Sequence, residues 1–512
     1  MKKTASILLS LALLAPTLTA FGGCSTDKNI TLRVYNWEEY IDEGGEGSYD
    51  FDFAEEGEEA DTRPILDKFE EWFEAEYGQS IHVEYSTFGT NEDLYNQLKL
   101  GDKYDLVCPS EYMIMKLAAE GMIQPLNFDL DDKHDDYREN VSKFIQQTFE
   151  DGKMQVMGQE ALASWSEYAA GYMWGVTGLV YNPELVDEDD LAQGWSILLD
   201  PTYKNKVTTK DNVRDSYFVG LAILYQEQLL DLKEKNKNGE LSDREYTEEV
   251  TKLMNDTDPE TVEEVTQILK DMKSNIFGFE TDTGKSDMVK GTISLNFAWS
   301  GDAVYAMDEA ESQDVYLNFY VPEECANLYF DGWVMPKDDK RDEDTEKAAI
   351  AFINFMSQPE NAMRNSYYIG YTSVIAGAEQ EMYYYALDLY SSNDEEDVVE
   401  YDISYFFGAE EGTYTIPTYE DQLCRQLYAQ FPPAETVNRC AVMDYYGERE
   451  EAINELWTQV KGEQLSAWAI VVICIAVAAV ILFVVFKIFG SKIEFRLKPK
   501  KGYTLVSQEK IK

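Results

Sequence analysis

Between positions 30 and 120, the spacing of apolar residues changes repeatedly from that of a strand to that of a helix. Apolar side chains alternate with polar ones in residues 30–35, whereas Ile65, Phe69, Trp72 and Phe73 recur along one helix face. The predicted elements are a strand at 30–35, a helix at 64–77, a strand at 81–85, a helix at 91–98, a strand at 104–107 and a helix at 111–120. This alternation is typical of an α/β fold with a parallel sheet.

A second region with the same alternation begins near residue 172. Residues 174–181 are apolar with interspersed glycines, the predicted strands lie at 292–298, 317–321 and 332–335, and the predicted helices lie at 216–230, 258–273 and 345–356. Two such units joined by returning strands predict two lobes with a cleft between them. Lobe 1 comprises residues 30–172 and 325–372, and lobe 2 comprises residues 173–324 and 373–460. We expect the acidic stretch 42–61 to be a solvated insertion and the Tyr-rich stretch 377–420 to be a further insertion.

The two ends of the chain contain apolar segments of different kinds. Residues 1–24 begin with Lys2 and Lys3, continue with an apolar run and end at Cys24, which predicts a signal peptide of the lipoprotein type. Ordinary signal cleavage, with Cys24 incidental, is the alternative. Residues 465–486 contain no charged side chain and are long enough to cross a bilayer, so we expect a transmembrane helix there and a basic cytoplasmic tail at 487–512. This topology predicts a protein of the cell membrane with residues 25–464 on its extracellular face.

The charge of the chain narrows the classes of ligand and chemistry. Its 512 residues include 97 acidic and 43 basic side chains, with a net charge of −54. A nucleic-acid partner is excluded because phosphate binding requires a basic surface, whereas an acidic field attracts small cations. The sequence has no metal-ligand spacing, no triad containing His82 or His134 and no nucleophile motif, so we expect no metal, no cofactor and no catalytic residue. Cys424 and Cys440 could form a disulfide, which the sequence alone does not decide.

Aromatic residues lie beside acidic residues at the ends of several predicted strands, where ligands of open α/β sheets bind. Aromatic faces attract cations and can enclose methylene groups, and a desolvated ammonium group needs a carboxylate partner. The five clusters are Trp37-Glu38-Glu39-Tyr40, Ser110-Glu111-Tyr112, Asp211-Asn212-Val213-Arg214-Asp215, Trp299-Ser300-Gly301-Asp302 and Tyr329-Phe330-Asp331. A strand end or a helix cap explains any one of them taken alone, but five in one two-lobed chain favour a ligand site.

Six strings along the chain extend this signal: Val34-Tyr35-Asn36-Trp37-Glu38-Glu39-Tyr40, Tyr104-Asp105-Leu106-Val107-Cys108-Pro109-Ser110-Glu111-Tyr112, Glu120-Gly121-Met122-Ile123, Tyr172-Met173-Trp174-Gly175, Trp299-Ser300-Gly301-Asp302 and Ile369-Gly370-Tyr371. As a set, they resemble the spermidine/putrescine-binding component of bacterial ABC transporters, in the order typical of that family. The resemblance extends over about residues 30–460 and is interrupted by the two insertions. It implies a two-lobed type II periplasmic-binding-protein fold with a hinge, to which this sequence adds one C-terminal transmembrane helix.

The resemblance also implies roles for the matching positions. The walls of an aromatic box would be formed by Trp37, Tyr40, Trp299 and Tyr329. One end of the ligand would be contacted by Ser110 and Tyr112, and its ammonium groups would be bound by Asp215, Asp302 and Asp331. Tyr371 would close one side near a hinge crossing. Two further candidate ligand-binding residues are Glu38, which stands where the family usually has a small hydroxyl residue, and Asp211, which lies beside a position that is sometimes acidic.

These expectations define a functional hypothesis and its alternatives. The chain is expected to be an extracellular receptor that closes around putrescine or spermidine and delivers it to the permease subunits of an ABC transporter. It is not expected to be an enzyme. The alternative is a membrane-anchored surface sensor of a small cationic ligand.

Overall fold

The computed structural model describes residues 29–45, 48, 61–281, 283–392 and 398–462. The predicted signal peptide with Cys24 and the predicted basic tail at 487–512 lie outside these residues.

The predicted fold needs one correction, which concerns the C-terminal transmembrane helix. Among the described residues, no helix is both long enough and apolar enough to cross a membrane. The longest of these helices has 17 residues and contains several charged side chains, whereas a span needs about 20 mostly apolar residues. The helix predicted at 465–486 lies outside the described residues, so the structure does not support it and we withdraw it from the fold.

The strands of the described residues are β1 (Ile30–Trp37), β2 (Ile81–Phe88), β3 (Leu106–Val107), β4 (Ile123–Gln124), β5 (Lys153–Met154), β6 (Ala163–Ser164), β7 (Ala169–Tyr181), β8 (Val207–Lys210), β9 (Gly278–Glu280), β10 (Leu295–Trp299), β11 (Asn318–Tyr320), β12 (Leu328–Pro336), β13 (Thr372–Ser373), β14 (Val398–Asp402) and β15 (Thr415–Tyr419).

The α-helices are α1 (Ile65–Tyr77), α2 (Asn91–Leu100), α3 (Glu111–Ala119), α4 (Asp136–Asn140), α5 (Lys143–Asp151), α6 (Val213–Leu224), α7 (Gln226–Lys237), α8 (Asp243–Met254), α9 (Pro259–Asn275), α10 (Thr283–Val289), α11 (Ser300–Glu311), α12 (Glu343–Met356), α13 (Pro359–Ile369), α14 (Glu381–Tyr390), α15 (Gln426–Gln430), α16 (Ala434–Asn438) and α17 (Glu450–Lys461).

The main sheet has 11 strands and two parallel halves. Its central order is β2-β1-β3-β12-β7-β10-β8-β9. In one half β1 pairs in parallel with β2 and β3, and in the other β8 pairs in parallel with β9 and β10. The long strands β7 and β12 lie between the halves and pair antiparallel with each other. The α/β class predicted from the sequence is therefore present, whereas the exact lobe boundaries stay a prediction.

Helices cover the sheet through apolar faces that the sequence already marks. Phe69 and Phe73 of α1 are buried, and the Phe69 ring lies 5.0 Å from the ring of Phe352 on α12 in an edge-to-face arrangement. Strand β7 is buried at every position, which explains why its sequence is apolar at nearly every position instead of alternating. Because both of its faces are buried, β7 lies at the centre of the core.

The loop after β1 is not a fully solvated insertion. Asp42 is buried and forms an ion pair with Arg364 of α13, through the Arg364 Nε and Asp42 Oδ2 atoms. The Ser48 hydroxyl donates to the same carboxylate, and the Asp42 backbone N–H donates to Asn365 Oδ1 at 2.9 Å. This acidic stretch therefore begins with a buried anchor between β1 and α13, because one of its acids has a buried basic partner.

Candidate ligand-binding site

A cavity of about 460 Å³ opens where β1, β3, β10 and β12 end or pass close together. A volume of this size is typical of small-molecule sites. Of the ligand-binding residues predicted from the sequence, those that line the cavity are Trp37, Glu38, Tyr40, Ser110, Tyr112, Asp215, Trp299, Asp302, Tyr329, Asp331 and Tyr371.

Asp211 does not line the cavity. It lies between β8 and the N-cap residue of α6, and its backbone N–H donates to the Glu280 carbonyl at 2.7 Å. Asn212 caps α6 by accepting the backbone N–H groups of Arg214 and Asp215. Asp215, in the first turn of α6, therefore lines the cavity in place of Asp211.

Asp331 occupies the middle of β12 and is held by two hydroxyl groups. Tyr40 Oη donates to its Oδ2 and Ser110 Oγ donates to its Oδ1, both at 2.7 Å. Burial nevertheless raises the pKa of Asp331 to about 6, because these hydrogen bonds only partly offset the loss of solvent. The group is thus a buried carboxyl whose ionised form would be stabilised by a cation.

Glu111 is the first residue of α3 and is almost fully buried. Its Oε2 accepts the Phe330 backbone N–H at 3.0 Å, while its Oε1 has no hydrogen-bond partner among the described residues. Burial raises the pKa of Glu111 to about 8. Beside it, Asn91 donates to both Ser110 Oγ and Tyr112 Oη at 3.1 Å, which fixes these two side chains at the cavity wall.

Asp215 lies across the cavity in the first turn of α6. Burial raises its pKa to about 7, against the opposing effects of the Lys210 charge and a hydrogen bond from Trp299. No ion pair joins Asp215, Asp331 or Glu111 to a basic side chain of the described residues. These three carboxyl groups are therefore buried acids without a cation in direct contact.

The aromatic residues form connected walls. The Tyr40 ring meets the Tyr371 ring edge to face with centres 4.8 Å apart, and the Tyr371 and Tyr329 ring centres are 6.3 Å apart. The ring of Trp37 packs against the ring of Phe88, with ring centres 4.6 Å apart. The rings present π faces and hydroxyl groups to one volume, which suits a ligand with methylene groups and positive charges.

Two glycines let these rings approach the backbone. A Cβ atom at Gly301 would lie 2.1 Å from the Tyr371 ring, and a Cβ atom at Gly175 would lie 2.4 Å from the Tyr329 hydroxyl oxygen. Both distances are shorter than any ordinary contact, so only glycine leaves room for the two tyrosines.

Asp302, which was predicted to bind an ammonium group of the ligand, is already paired with two lysines of the protein. Lys210 Nζ lies 3.0 Å from its Oδ2, and Lys285 Nζ lies 3.5 Å from its Oδ1. Burial acts to raise the pKa of Asp302, but the charges of the two lysines outweigh it and hold that pKa below its usual value. Asp302 is therefore ionised and neutralised within the protein, unlike Asp215 and Asp331.

Sequence reasoning missed several residues of the cavity. Glu111 and Glu39 lie within the aromatic–acidic clusters, so their position after a strand could have identified them. Lys285, which lines the cavity, and Lys210, which pairs with Asp302 without lining the cavity, could not have been found in this way, because the sequence does not show the partners of a lysine. Lys210 also lies 4.2 Å above the Trp299 ring centre.

The cavity is strongly acidic and aromatic. Its only basic lining residue among the described ones is Lys285, and its acidic lining residues are Glu38, Glu39, Glu43, Glu111, Asp215, Asp302 and Asp331. Such an arrangement can bind a small organic cation by charge pairing and ring contact.

Comparison with known proteins gives consistent results. The chain is similar to the spermidine/putrescine-binding periplasmic protein of Salmonella typhimurium, with 26% identity over 373 residues, covering 72% of this chain and 84% of the relative. It is also similar to the putrescine-binding periplasmic protein PotF of Escherichia coli, with 25% identity over 384 residues, covering 73% of this chain and 84% of the relative. The resemblance inferred from the six strings is thereby confirmed.

A solved structure supports the two-lobed α/β substrate-binding fold. It is the spermidine/putrescine ABC transporter substrate-binding protein PotD from Streptococcus pneumoniae, which is 26% identical, superposes with a TM-score of 0.51, and covers 85% of this chain and 100% of its own. The family model for bacterial extracellular solute-binding proteins matches residues 67–387, well over half of the 512 residues. The chain therefore belongs to the family of bacterial extracellular solute-binding proteins.

Proposed function

We propose that this protein is a receptor that binds a polyamine outside the cytoplasm and delivers it to an ABC transporter. The observation that supports this function best is the pair of buried carboxyls, Asp215 and Asp331, beside the aromatic walls of the cavity. A buried carboxylate without a cation is unfavourable, and an ammonium group that hydrogen-bonds to it removes that cost. A polyamine supplies two or more such groups on a chain of methylenes.

In this proposal the polar and aromatic residues of the cavity have different roles. Asp215 and Asp331 pair with ammonium groups, and Tyr40 and Ser110 orient the Asp331 carboxylate through their 2.7 Å hydrogen bonds. Trp37, Trp299 and Tyr371 contact the methylene groups and add cation–π attraction. Glu38 and Tyr112 complete the walls on the side of β1 and α3.

We further propose that the two halves of the sheet close over the ligand by a hinge at β7 and β12, with lobes as predicted from the sequence. In one half, Trp37 ends β1 and Tyr40 follows it, whereas in the other half Trp299 ends β10 and Asp302 lies in the first turn of α11. Closure would exclude water and strengthen each charge pair. The closed form would then dock on permease subunits, and the receptor itself would perform no chemistry.

The names of the relatives agree with this proposal, since those quoted above bind putrescine or spermidine. The alternative of a membrane-anchored sensor depended on the transmembrane helix that has been withdrawn. No observation on the described residues favours it.

Isothermal titration calorimetry of the purified protein with putrescine, spermidine and spermine tests the proposal. We expect saturable one-to-one binding of at least one of the three amines. Asp331→Asn should weaken it by about 2 kcal/mol or more, roughly 30-fold, because a buried charge pair loses one partner. Trp299→Ala should weaken it by about tenfold through loss of a cation–π face.

The matched control is Glu324→Gln. Glu324 is also a buried acid, and burial raises its pKa to about 7, but it lies outside the cavity and accepts the Trp195 backbone N–H at 2.7 Å. This variant should bind as the wild type does. Absence of binding to all three amines would refute the ligand assignment.

A further inference from the structure

The Asp302 end of the cavity differs from the rest because cations of the protein already occupy it. Lys210 pairs with Oδ2 at 3.0 Å, Lys285 pairs with Oδ1 at 3.5 Å, and the Tyr371 hydroxyl donates to Oδ1 at 3.1 Å. Both carboxylate oxygens thus have donors before any ligand enters. Asp215 and Asp331, by contrast, have no ion-pair partner among the described residues.

The ammonium group of Lys285 lies in surroundings like those that a ligand ammonium group requires. Its Nζ lies 3.5 Å from Asp302 Oδ1, 3.3 Å from Glu39 Oε2 and 5.1 Å from the Tyr305 ring centre. Two carboxylates and an aromatic face are the partners expected for a bound amine. The lysine also lines the cavity, with a side chain that is 17% exposed.

The start of α10 presents Lys285 from a fixed position. The Gly284 backbone N–H donates to Glu280 Oε2 at 2.8 Å, and Glu280 Oε1 accepts Asn296 Nδ2 at 3.2 Å. A Cβ atom at Gly284 would lie 1.7 Å from Asn296 Nδ2, so the helix start is packed directly against β10. The backbone that carries Lys285 is therefore fixed beside β10.

Apart from the exposed Glu39, the carboxylates at this end are already matched by lysines without a ligand. Lys210 pairs with both Asp302 and Glu280, at 3.0 Å and 3.5 Å, and Lys285 pairs with Asp302. Two buried or half-buried cations therefore face two buried carboxylates. A further ammonium group placed here would meet two like charges and would have to displace Lys285 to gain a carboxylate.

We propose that Lys285 is a specificity-determining residue that fills an ammonium position at Asp302, so that the cavity accepts a diamine in preference to a triamine. This inference rests on the proposed polyamine function. Among the other carboxyls of the cavity, Asp215 and Asp331 receive the two ammonium groups of a diamine. The third ammonium group of a triamine finds its position occupied by the protein.

The test compares putrescine and spermidine, by titration calorimetry, on the wild type, Lys285→Met and Lys285→Arg. The wild type should bind putrescine more tightly than spermidine. Lys285→Met keeps an unbranched side chain, one atom shorter and without the charge, and it should shift the affinity ratio toward spermidine by about tenfold or more, since a charge pair becomes available. Lys285→Arg keeps the charge and should keep the ratio of the wild type.

A matched control and three outcomes make the test decisive. Lys233→Met removes a lysine that pairs with Glu323 away from the cavity, and it should leave the ratio unchanged. An unchanged affinity ratio in Lys285→Met, or tighter binding of spermidine by the wild type, would refute the role of Lys285 and leave the proposed function intact. Failure of the wild type to bind either amine would overturn this inference together with the proposed function.

Discussion

Binding of a polyamine should release protons from the cavity. Burial raises the pKa of Asp331 to about 6, of Asp215 to about 7 and of Glu111 to about 8 in the free protein. An ammonium group beside a carboxyl favours the ionised form and lowers its pKa. The amine of the ligand itself stays charged, since an alkyl ammonium group titrates near pH 10. Protons bound to these carboxyls must therefore leave when the ligand enters.

The number of protons follows from the three pKa values. At pH 7, Asp331, Asp215 and Glu111 are protonated in roughly a tenth, a half and nine-tenths of the free molecules. If only the two aspartates pair with the ligand, about 0.6 protons are released per molecule bound. If Glu111 is ionised as well, the number rises to about 1.5. The measured value thus decides whether Glu111 takes part.

Calorimetric titration in buffers of different ionisation enthalpy measures this number directly. The observed binding enthalpy should vary linearly with the ionisation enthalpy of the buffer, with a slope that reports proton release. The affinity should also rise with pH between about pH 5.5 and pH 8, by up to tenfold per pH unit for each proton released.

Asp215→Asn isolates one of the contributing groups. The charges of Lys210 and Arg214 favour ionised Asp215 and that of Glu92 opposes it, but burial dominates, so its pKa stays high. The variant should release about half a proton less at pH 7 than the wild type. Glu324→Gln, which removes a buried acid outside the cavity, should leave proton release unchanged. Proton uptake on binding, or enthalpies independent of the buffer, would refute the reasoning.

Three further predictions concern stability. The raised pKa of Asp215 means that the folded protein binds the proton of this carboxyl more tightly than the unfolded chain does. The free energy of unfolding of the wild type, measured by urea titration, should therefore fall relative to that of Asp215→Asn as pH rises from about 4 to 7. The expected decrease is up to about 1.4 kcal/mol per pH unit. Gly301→Ala places a Cβ atom against the Tyr371 ring, and it should cost about 1–3 kcal/mol and weaken ligand binding, measured by chemical denaturation and calorimetry. Asp42→Asn leaves buried Arg364 without its ion-pair partner, and thermal and urea unfolding should show a loss of about 3–5 kcal/mol.

Controls for these variants separate the named cause from mutation in general. A Cβ atom at Gly89 meets no atom within 4 Å, so Gly89→Ala should leave stability nearly unchanged. Asp132 pairs with Lys347 at the surface, so Asp132→Asn should cost no more than about 1 kcal/mol. Equal losses in Gly89→Ala and Gly301→Ala, or in Asp132→Asn and Asp42→Asn, would contradict the packing and burial arguments.

Local patterns predicted the parts of the site that depend on a single strand end. Trp37 and Trp299 each end a strand and Ser110 lies three residues after one, and a sheet whose strands end together brings such residues to one cavity. The choice between Asp211 and Asp215 depended on the phase of α6, which the cap at Asn212 sets. The position of that cap was not evident from the spacing of acids alone.

Pairings between distant residues could not be predicted from the sequence. Asp42 belongs to an acidic run that looks solvated, yet its buried partner Arg364 lies 322 positions away. Asp302 looks like the other candidate aspartates, but Lys210 and Lys285 reach it from β8 and α10. Such ion pairs depend on tertiary packing, and a net charge of −54 gives no hint of where the few buried cations lie.

The three cavity aspartates illustrate one electrostatic requirement, which is that the charge of a buried carboxylate must be reduced by a cation or by a proton. Asp302 meets this requirement permanently, because Lys210 and Lys285 neutralise it. Asp215 and Asp331 meet it by holding protons in part of the free molecules, as their raised pKa values show. A dication that pairs with both carboxyls releases the protons that remain on them and neutralises the charge that they already carry, so the bound site holds two paired carboxylates. A neutral molecule of the same length cannot displace protons in this way, and on this reasoning the site selects for cationic ends as well as for shape.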